Sequence, residues 1–415
     1  MLLSKNKNLF SPSYWPSYYR SAKGCMVTDL DGNQFIDFAS NGIGACSLGF
    51  ANDEIDDFVI ETIKNGVMSS LNCPAEVDLA KSLCELHPWA NMSKFARSGG
   101  EANAISIRIA RAASGKDKVA FCGYHGWHDW YLAANISSGD SLSSHLLEGL
   151  GSRGVPSTLK DSVVPLRYNN FDDLDILSVT HDIGVVKLEP TRSCSPLPGY
   201  LERIRDICDE KGIVLIFDEC TSGFREAFGG VHLNYGVNPD ICILGKALGN
   251  GYAITAILGT EKVMNYALET FISSTFWTEA IGSNAALKTL EVMNLQASWT
   301  KLPNLGKQVK DVWQKSAMDN NIQLIVEGLD ALPTFKFVSE YSSALKTAFT
   351  ELMLDRGFLA TTQFYPSTAH SESSINSYQV ACDDVFAILS SIHDSQVKEL
   401  LCRGNLCNPS FKRLN

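Results

Sequence analysis

Residues 212–259 read GIVLIFDECTSGFREAFGGVHLNYGVNPDICILGKALGNGYAITAILG, and this stretch decides the fold. It contains two uninterrupted apolar runs, Ile213–Phe217 and Ile241–Leu244, and a third run, Ile254–Leu258, that is broken only by a threonine. Uninterrupted runs of this length are typical of strands that are buried on both faces. Such strands occur in mostly parallel sheets with helices on both sides.

Two similar runs lie upstream, Val119–Cys122 and Val185–Leu188, and the helical pattern of Leu201–Lys211 falls between strands. Apolar runs that alternate with amphipathic stretches predict an α/β architecture. We therefore predict a large, mostly parallel sheet of the seven-stranded type, with helices on both faces.

The two ends of the chain have a different pattern, which predicts a smaller α+β domain. Its expected elements are a hairpin at Met26–Phe38, a helix after residue 300, a strand at Phe335–Val338, and helices near Ala344–Asp355 and Val385–Leu401. Helices at Asn52–Val67 and from Pro74 are expected at the start of the large domain. We predict a large domain over residues 51–300, and a small domain built from residues 1–50 and 301–415.

Composition limits the partners that the protein can have. The 415 residues include 35 Lys and Arg and 46 Asp and Glu, for a net charge of −11, which argues against nucleic acid or an anionic membrane. No apolar stretch approaches 18 residues and no signal peptide is evident. The twelve cysteines include no CxxC pair, so reduced thiols, a cytoplasmic location and no metal site are expected.

Two reactive side chains follow predicted strands. Asp218 ends the run Ile213–Phe217, at the edge of an open α/β sheet where ligands bind. A buried carboxylate there needs a cation or a protonated ring nitrogen, although it could instead cap a helix or form a structural ion pair. Lys246 follows the next strand among glycines. A partly desolvated lysine becomes an amine nucleophile, although a lysine at this position could also be a surface residue.

Two loops complete a possible site. The sequence Ser98-Gly99-Gly100 precedes a helix, and a glycine-rich helix start suits a phosphate, although it could be an ordinary helix start. Tyr124 and His125 follow the run Val119–Cys122 and bring an aromatic face to the same edge, where simple packing is the alternative. A phosphate cradle, an aromatic ring, a carboxylate and a Schiff-base lysine are the groups that pyridoxal 5′-phosphate (PLP) needs.

The same residues resemble a known family. Glu189-Pro190, Pro198-Gly199-Tyr200, the stretch FDECTSGFR to ITAILG, and the segments SGGEAN, YHG and STFWTE resemble class III, fold-type I PLP aminotransferases. The resemblance covers roughly residues 20–400 and is greatest to the glutamate-1-semialdehyde aminomutase branch. It implies a fold-type I PLP transferase.

The resemblance also implies roles for single residues. Lys246 would form the Schiff base and carry the proton, and Asp218 would pair with the pyridinium nitrogen. The remaining cofactor contacts implied are Ser98, Gly99 and Gly100 at the phosphate, Tyr124 and Cys220 on the two ring faces, His125, Glu189, and Thr275, which would reach the phosphate of the neighbouring subunit. The last role implies a homodimer with shared active sites.

The reaction is less constrained than the cofactor. Aminomutases place an arginine near the N-terminus for the substrate carboxylate, whereas this chain has the aromatic segment Phe10–Pro16. We therefore predict transfer of an amino group from an amino-acid donor, glutamate above all, to a carbonyl metabolite. An intramolecular 1,2-amino shift and a non-catalytic relative are the alternatives. Candidate substrate contacts are Trp15, Tyr18, Arg20, Trp127, Asn169, Arg192 and Arg225.

Overall fold

The computed structural model describes residues 10–139, 141–143, 150–191 and 193–408. The chain divides into two compact units. The large unit is Asp53–Trp299, and the small unit joins Met1–Asn52 with Thr300–Asn415.

The large unit is built on a seven-stranded sheet, which confirms the predicted sheet type. Its strands are β4 (Met92–Ala96), β5 (Lys118–Cys122), β6 (Val163–Pro165), β7 (Ile183–Leu188), β8 (Val214–Glu219), β9 (Ile241–Leu244) and β10 (Thr255–Gly259). The spatial order is β4-β10-β9-β8-β7-β5-β6. The five strands from β9 to β6 are parallel, whereas β10 is antiparallel to both neighbours. Ten residues link β9 to β10, too few for the crossover that a parallel strand would need.

Helices cover both faces of this sheet. They are α1 (Asp53–Lys64), α2 (Pro74–Leu86), α3 (Gly99–Ser114), α4 (Asp129–Leu132), α5 (Asn135–Ser138), α6 (Phe171–Val179), α7 (Tyr200–Lys211), α8 (Glu261–Met264) and α9 (Ala280–Gln296). On one face Ile105 and Ile109 of α3 pack in a core with Ile216 and Ile243 of the sheet. On the other face α6 and α7 cover residues such as Phe217.

The small unit contains a four-stranded sheet in the order β1-β2-β3-β13 and a two-stranded sheet. Its strands are β1 (Tyr19–Lys23), β2 (Met26–Asp29), β3 (Gln34–Phe38), β11 (Leu324–Glu327), β12 (Thr334–Phe337) and β13 (Phe358–Ala360). The predicted hairpin is confirmed by the antiparallel pairing of β2 with β3. Strand β13 adds parallel to β3, with Phe358 opposite Ile36.

The helices of the small unit enclose an aromatic core. They are α10 (Ser298–Asp319), which begins two residues before the unit boundary, α11 (Ser342–Asp355), α12 (Glu372–Ser390) and α13 (Val397–Leu401). Phe38 of β3 stacks on Phe364 and on Tyr378 of α12, with ring centroids 5.0 and 4.1 Å away. Trp313 of α10 is fully buried in the same core and donates a hydrogen bond to Tyr378.

The predicted helix at Val385–Leu401 is wrong in its bounds. The structure begins α12 at Glu372, capped by the side chain of Ser371, and ends it at Ser390. A short 3₁₀ turn at Asp394–Gln396 then separates it from α13. Serine, histidine and aspartate side chains bond to nearby backbone groups and so favour such a break.

All twelve cysteines lie in the described ranges and are free thiols. Within those ranges, no helix combines the length and the apolar character that crossing a bilayer requires.

Candidate active site

Parallel strands bring four chain segments to one edge of the large sheet. Strands β5, β7, β8 and β9 are mutually parallel, so their carboxyl ends share that edge. Asp218 lies opposite Ile243 in the pairing of β8 with β9. The loop with Lys246 follows β9 directly, so the predicted acid and lysine extend from adjacent strands.

Asp218 is 3% exposed and is held by two donors. Its Oδ2 lies 2.8 Å from Nδ1 of His125, and the backbone N–H of Cys220 donates to its Oδ1 at 3.2 Å. His125 is fully buried, and its Nε2 lies 3.0 Å from the carbonyl oxygen of Cys122. A carbonyl only accepts, so Nε2 carries a hydrogen, and Nδ1 is the ring atom that faces the carboxylate.

The charge on Asp218 is stabilised despite its burial. Burial alone would raise the pKa of this carboxyl, but the charge of Lys187 and the hydrogen bond from His125 hold the pKa well below its usual range. Asp218 is therefore an anion at neutral pH. It can face a cationic ring nitrogen at the sheet edge.

Lys246 has a backbone conformation that is rare for a residue with a side chain. Its φ is +44°, in the left-handed region, which costs about 1–3 kcal/mol. Strain of this kind persists where the surrounding fold imposes it, and it is common at active sites. The half-buried Lys246 donates a 2.7 Å hydrogen bond from Nζ to the hydroxyl of Thr221.

Cys220 connects the lysine loop to the start of α3. A Cβ atom added at Gly245 would lie 3.2 Å from its Sγ, and one added at Gly99 would lie 3.3 Å from the same atom. The glycines on the two sides therefore approach one thiol. This contact places the first turn of α3 beside the residue that precedes Lys246.

The N-terminus of α3 has donors available for an anion. Ser98 is the N-cap and its hydroxyl accepts from the backbone N–H of Glu101, while the carboxylate of Glu101 accepts from the N–H of Arg97. The first N–H groups of a helix have no partner within the helix, and the helix dipole favours negative charge there. Ser98, Gly99 and Gly100 thus form a site suited to phosphate.

The aromatic loop is fixed by Glu189. Its Oε2 accepts from the backbone N–H of Tyr124 at 2.9 Å. Gly123 has a φ of +105°, and a Cβ atom there would lie 2.8 Å from the same oxygen, so only glycine fits. A Cβ atom at Gly126 would lie 3.3 Å from Cα of Gly100. The loop that carries Tyr124 and His125 therefore packs on the glycine turn at the start of α3.

Thr275 is exposed on a loop that Arg97 anchors. The guanidinium of Arg97 donates to the carbonyl oxygens of Phe276 and Trp277 at 2.9 and 2.8 Å and pairs with Glu279 at 3.1 Å. Arg97 immediately precedes Ser98, so the loop with Thr275 is tied to the start of α3.

The predicted substrate contacts lie in different places. Trp127 is 68% exposed and stacks on His128, beside Gly100. Arg225 is fully buried and donates from Nε to the carbonyl oxygen of Thr221. Through this bond the buried Arg225 supports the loop after β8.

Four other candidates from the sequence lie in other segments of the chain. Asn169 bonds to the backbone of Ser195 and Leu197. Trp15, Tyr18 and Arg20 belong to the small unit, where Trp15 stacks on Phe10. A fifth, Arg192, lies outside the described residues.

Glu219, next to Asp218, belongs to a separate internal network. Its carboxylate lies 2.5 Å from Nδ1 of His232 and accepts from Ser222 and the backbone of Val231. The indole N–H of Trp89 donates to Nε2 of His232, so the imidazole proton is on Nδ1. Glu219, His232 and Cys242 lie close enough to share a metal ion, but hydrogen bonds already use both histidine nitrogens.

Sequence reasoning did not identify two residues near Asp218 and Lys246. Lys187 lies within the apolar run Val185–Leu188 and is fully buried. The only signal for it was a charged residue inside a buried strand. Thr221 lies in the loop after β8, and its bond to Lys246 depends on the fold of that loop.

Comparisons with known proteins agree with this geometry. The sequence profile of class-III aminotransferases matches residues 11–364. The 3-aminobutyryl-CoA aminotransferase of Cloacimonas acidaminovorans (strain Evry) is 34% identical over 356 residues, which cover 82% of this chain and 81% of that protein. The glutamate-1-semialdehyde 2,1-aminomutase of Persephonella marina is 30% identical over 396 residues, 89% of this chain and 91% of that protein.

Among solved structures, the FumI protein of Sphingopyxis sp. MTA144, in its PLP internal aldimine form, superposes with a TM-score of 0.85. It is 22% identical, and the match covers 94% of this chain and 92% of that one. This likeness confirms the predicted fold-type I architecture. The family match confirms the predicted class of enzyme, a transaminase or a related aminomutase. The chain belongs to the class-III aminotransferase family.

Proposed function

We propose that this protein binds PLP and transfers an amino group from an amino-acid donor, with glutamate as the first candidate, to a carbonyl metabolite. One observation carries the proposal. Lys246 and the anionic Asp218 extend from adjacent strands, and Cys220 Sγ contacts both the lysine loop and the first turn of α3. An amine, a carboxylate and an anion site thus meet at one sheet edge.

The residues present suit PLP. The N–H groups at Ser98, Gly99 and Gly100 would hold the phosphate, and the side chains of Tyr124 and Cys220 would lie on the two faces of the ring. The buried anion Asp218 would face the ring nitrogen. PLP, when bound, supplies an aldehyde for amines and an electron sink for the pair left by a lost Cα proton.

The side chains of the protein have separate roles in this reaction. Lys246 is the nucleophilic amine and the proton carrier at Cα, for which a well-placed group contributes about 10²–10⁴-fold in rate. Thr221 orients its Nζ through the 2.7 Å hydrogen bond. Asp218 keeps a negative charge beside the ring nitrogen, and His125 fixes the orientation of that carboxylate. Glu189 holds the loop of Tyr124.

We also infer a homodimer in which Thr275 completes the phosphate site of the partner subunit. The large unit leaves several large apolar side chains uncovered, including Leu71, Leu268, Phe271 and Phe276, at 61–86% exposure. Uncovered apolar side chains of this size favour association. Sedimentation of the purified enzyme tests the dimer. Mixing Thr275→Ala subunits with Lys246→Ala subunits tests the sharing, because only a hybrid dimer would have one intact site.

Cofactor absorbance tests the proposed reaction. Purified protein given PLP should become yellow, and glutamate or another amino donor should bleach the visible band in a half-reaction. Lys246→Ala should lack the lysine-linked band. Lys262→Ala, a lysine at the start of α8, should behave as wild type. The absence of a half-reaction with every donor in a broad panel would refute the proposal.

An intramolecular amino shift is the second candidate, because the Persephonella marina aminomutase is 30% identical over most of both chains. The two reactions differ in their need for an acceptor. Turnover that requires a separate carbonyl compound supports the aminotransferase. Isomerisation of an amino aldehyde without any added acceptor supports the aminomutase.

A further inference from the structure

Lys187 is a buried lysine to which the proposed reaction gives no task. It occupies the fifth position of β7, in a strand whose six residues are all buried, and it has no exposed surface. Lysine is almost never fully buried unless it has a partner of opposite charge. Its partner must therefore be found in the layers that face it.

The strand register identifies that partner. Lys187 lies opposite Ile216 of β8 on one side and Phe121 of β5 on the other. Asp218 is two residues beyond Ile216, and side chains two apart on a strand point to the same face. Lys187 and Asp218 therefore enter the same layer, between the sheet and α3.

The α3 side of this layer is polar but neutral. Nζ of Lys187 donates to the hydroxyl of Ser106 at 3.4 Å, and Ser106 in turn donates to the carbonyl oxygen of Asn103. Asn103 is 3% exposed, and its Oδ1 has no hydrogen-bond partner among the described residues. These groups anchor the lysine without neutralising its charge.

The charge of Lys187 is balanced by an acidic side chain of the sheet, Asp218. Burial lowers its pKa to about 8, and the charge of Asp218 is the largest effect in the opposite direction. The other titratable groups facing it are Cys220 after β8, Cys242 on β9 and Glu189 after β7. Conversely, Lys187 is the strongest of the influences that lower the pKa of Asp218, ahead of His125.

We propose that Lys187 is a positioning residue for Asp218, an internal counter-ion that keeps this carboxylate ionised and aligned on His125. The role toward the ring nitrogen rests on the proposed function. The pairing with Asp218 does not, because both side chains are part of the cofactor-free protein. Lys187 thus keeps the anion in place before the cofactor arrives.

A double-mutant cycle in the cofactor-free protein tests the pairing. The variants are Lys187→Met, Asp218→Asn and the double variant, compared by denaturant unfolding. Lys187→Met should lower the folding equilibrium constant of wild type but raise that of Asp218→Asn, where the ammonium has lost its partner. We expect a coupling of at least about tenfold. If the change in the folding equilibrium constant of the double variant equals the product of the two single changes to within about twofold, the pairing is overturned.

Two further variants keep this test decisive. Ser106→Ala removes only the anchor and should give a smaller change in the same direction, which remains measurable if Lys187→Met folds poorly. Lys118→Met, on neighbouring β5 and paired with exposed Asp182, should show no coupling to Asp218. Coupling of Lys118 as large as that of Lys187 would overturn the assignment.

The pH dependence of PLP affinity tests the consequence for the cofactor. Without Lys187, Asp218 should take up a proton in mild acid and lose its pairing with the ring nitrogen. The PLP dissociation constant of Lys187→Met should rise at least about tenfold more than that of wild type between pH 8 and pH 5. Loosened packing would instead raise the PLP dissociation constant of Lys187→Met over that of wild type by the same factor at every pH. That result would overturn the role.

The two experiments separate the two proposals. If wild type fails to bind PLP but the cofactor-free cycle shows coupling, the proposed function fails and the Lys187–Asp218 pairing stands. If PLP binds and the cycle is additive, the pairing fails and the proposed function stands.

Discussion

The Nζ atom of Lys246 lies 2.7 Å from the hydroxyl oxygen of Thr221, and the backbone of Thr221 is in turn held by the buried Arg225. The lysine that follows β9 is thus oriented by the loop that follows β8. Because Lys246 also has a strained φ of +44°, its direction is set by its neighbours and not by the preference of its own backbone.

Thr221→Val should slow amine exchange at Lys246. The substitution keeps the shape but removes the hydrogen bond to Nζ, worth about 0.5–1.5 kcal/mol, so the half-reaction with an amino donor should slow about 2- to 10-fold. Stopped-flow absorbance measures the rate. Thr221→Ser retains the hydroxyl and should recover most of it. Equal rates for the valine and serine variants would contradict an orienting role.

Glu219→Gln should destabilise the large unit without preventing cofactor binding by the folded fraction. Glu219 is a buried carboxylate that accepts a hydrogen bond from Nδ1 of His232, and a hydrogen bond to a charged group contributes about 1.5–3 kcal/mol. Denaturant unfolding of the cofactor-free protein measures the loss. Ser222→Ala removes one neutral donor to the same carboxylate and should cost only about 1 kcal/mol. An unchanged unfolding midpoint for Glu219→Gln would show that the network is not structural.

Arg97→Lys should loosen the loop that carries Thr275. Lysine cannot reproduce the set of bonds from one guanidinium to Phe276, Trp277 and Glu279. We expect faster proteolysis in this loop and PLP affinity that is weaker by about tenfold, equivalent to 1.4 kcal/mol. Arg111→Lys is the matched control, since Arg111 lies in the last turn of α3 and bonds to the carbonyl oxygen of Asp117 instead. If both variants lose affinity equally, the loop is not the cause.

Asp37 should make the stability of the small unit depend on pH. Burial raises its pKa from 3.8 to about 6, against hydrogen bonds from the backbone of Ala39 and Asn41. Its contribution is fully present below pH 3.8 and is lost as the pH rises through 6, by at most about 3 kcal/mol. Asp37→Asn should be less stable than wild type at pH 4, and the difference should narrow toward pH 7. Thermal unfolding of both proteins from pH 4 to 7 measures this difference. A difference in melting temperature that is the same at every pH would refute the prediction.

Much of the large unit could be predicted because its strands are buried on both faces. The runs Ile213–Phe217 and Ile241–Leu244 match β8 and β9 to within two residues, because an uninterrupted apolar run is typical of a strand that is buried on both faces. The meeting of Asp218 and Lys246 at one edge followed from the parallel arrangement itself. Tyr124 and the start of α3 were grouped with them for the same reason.

Contacts between distant residues could not be predicted in this way. His125 binds Asp218 across 93 residues of sequence, and Lys187 enters the same layer only because of the strand register. The burial of Arg225 depends on how the loop after β8 turns back. Local patterns also failed near the C-terminus, where polar residues between α12 and α13 interrupt a helix that apolar spacing alone would continue.

The parallel pairing of β13 with β3 has a consequence for how the protein is made. Strand β3 pairs with β13, which is translated more than three hundred residues later. In contrast, all seven strands of the large sheet lie within Met92–Gly259. At roughly 5–20 residues per second, that delay is on the order of tens of seconds. The large unit can therefore complete its sheet on the ribosome while the amino-terminal hairpin remains an open edge, the segment of the nascent chain most in need of a chaperone.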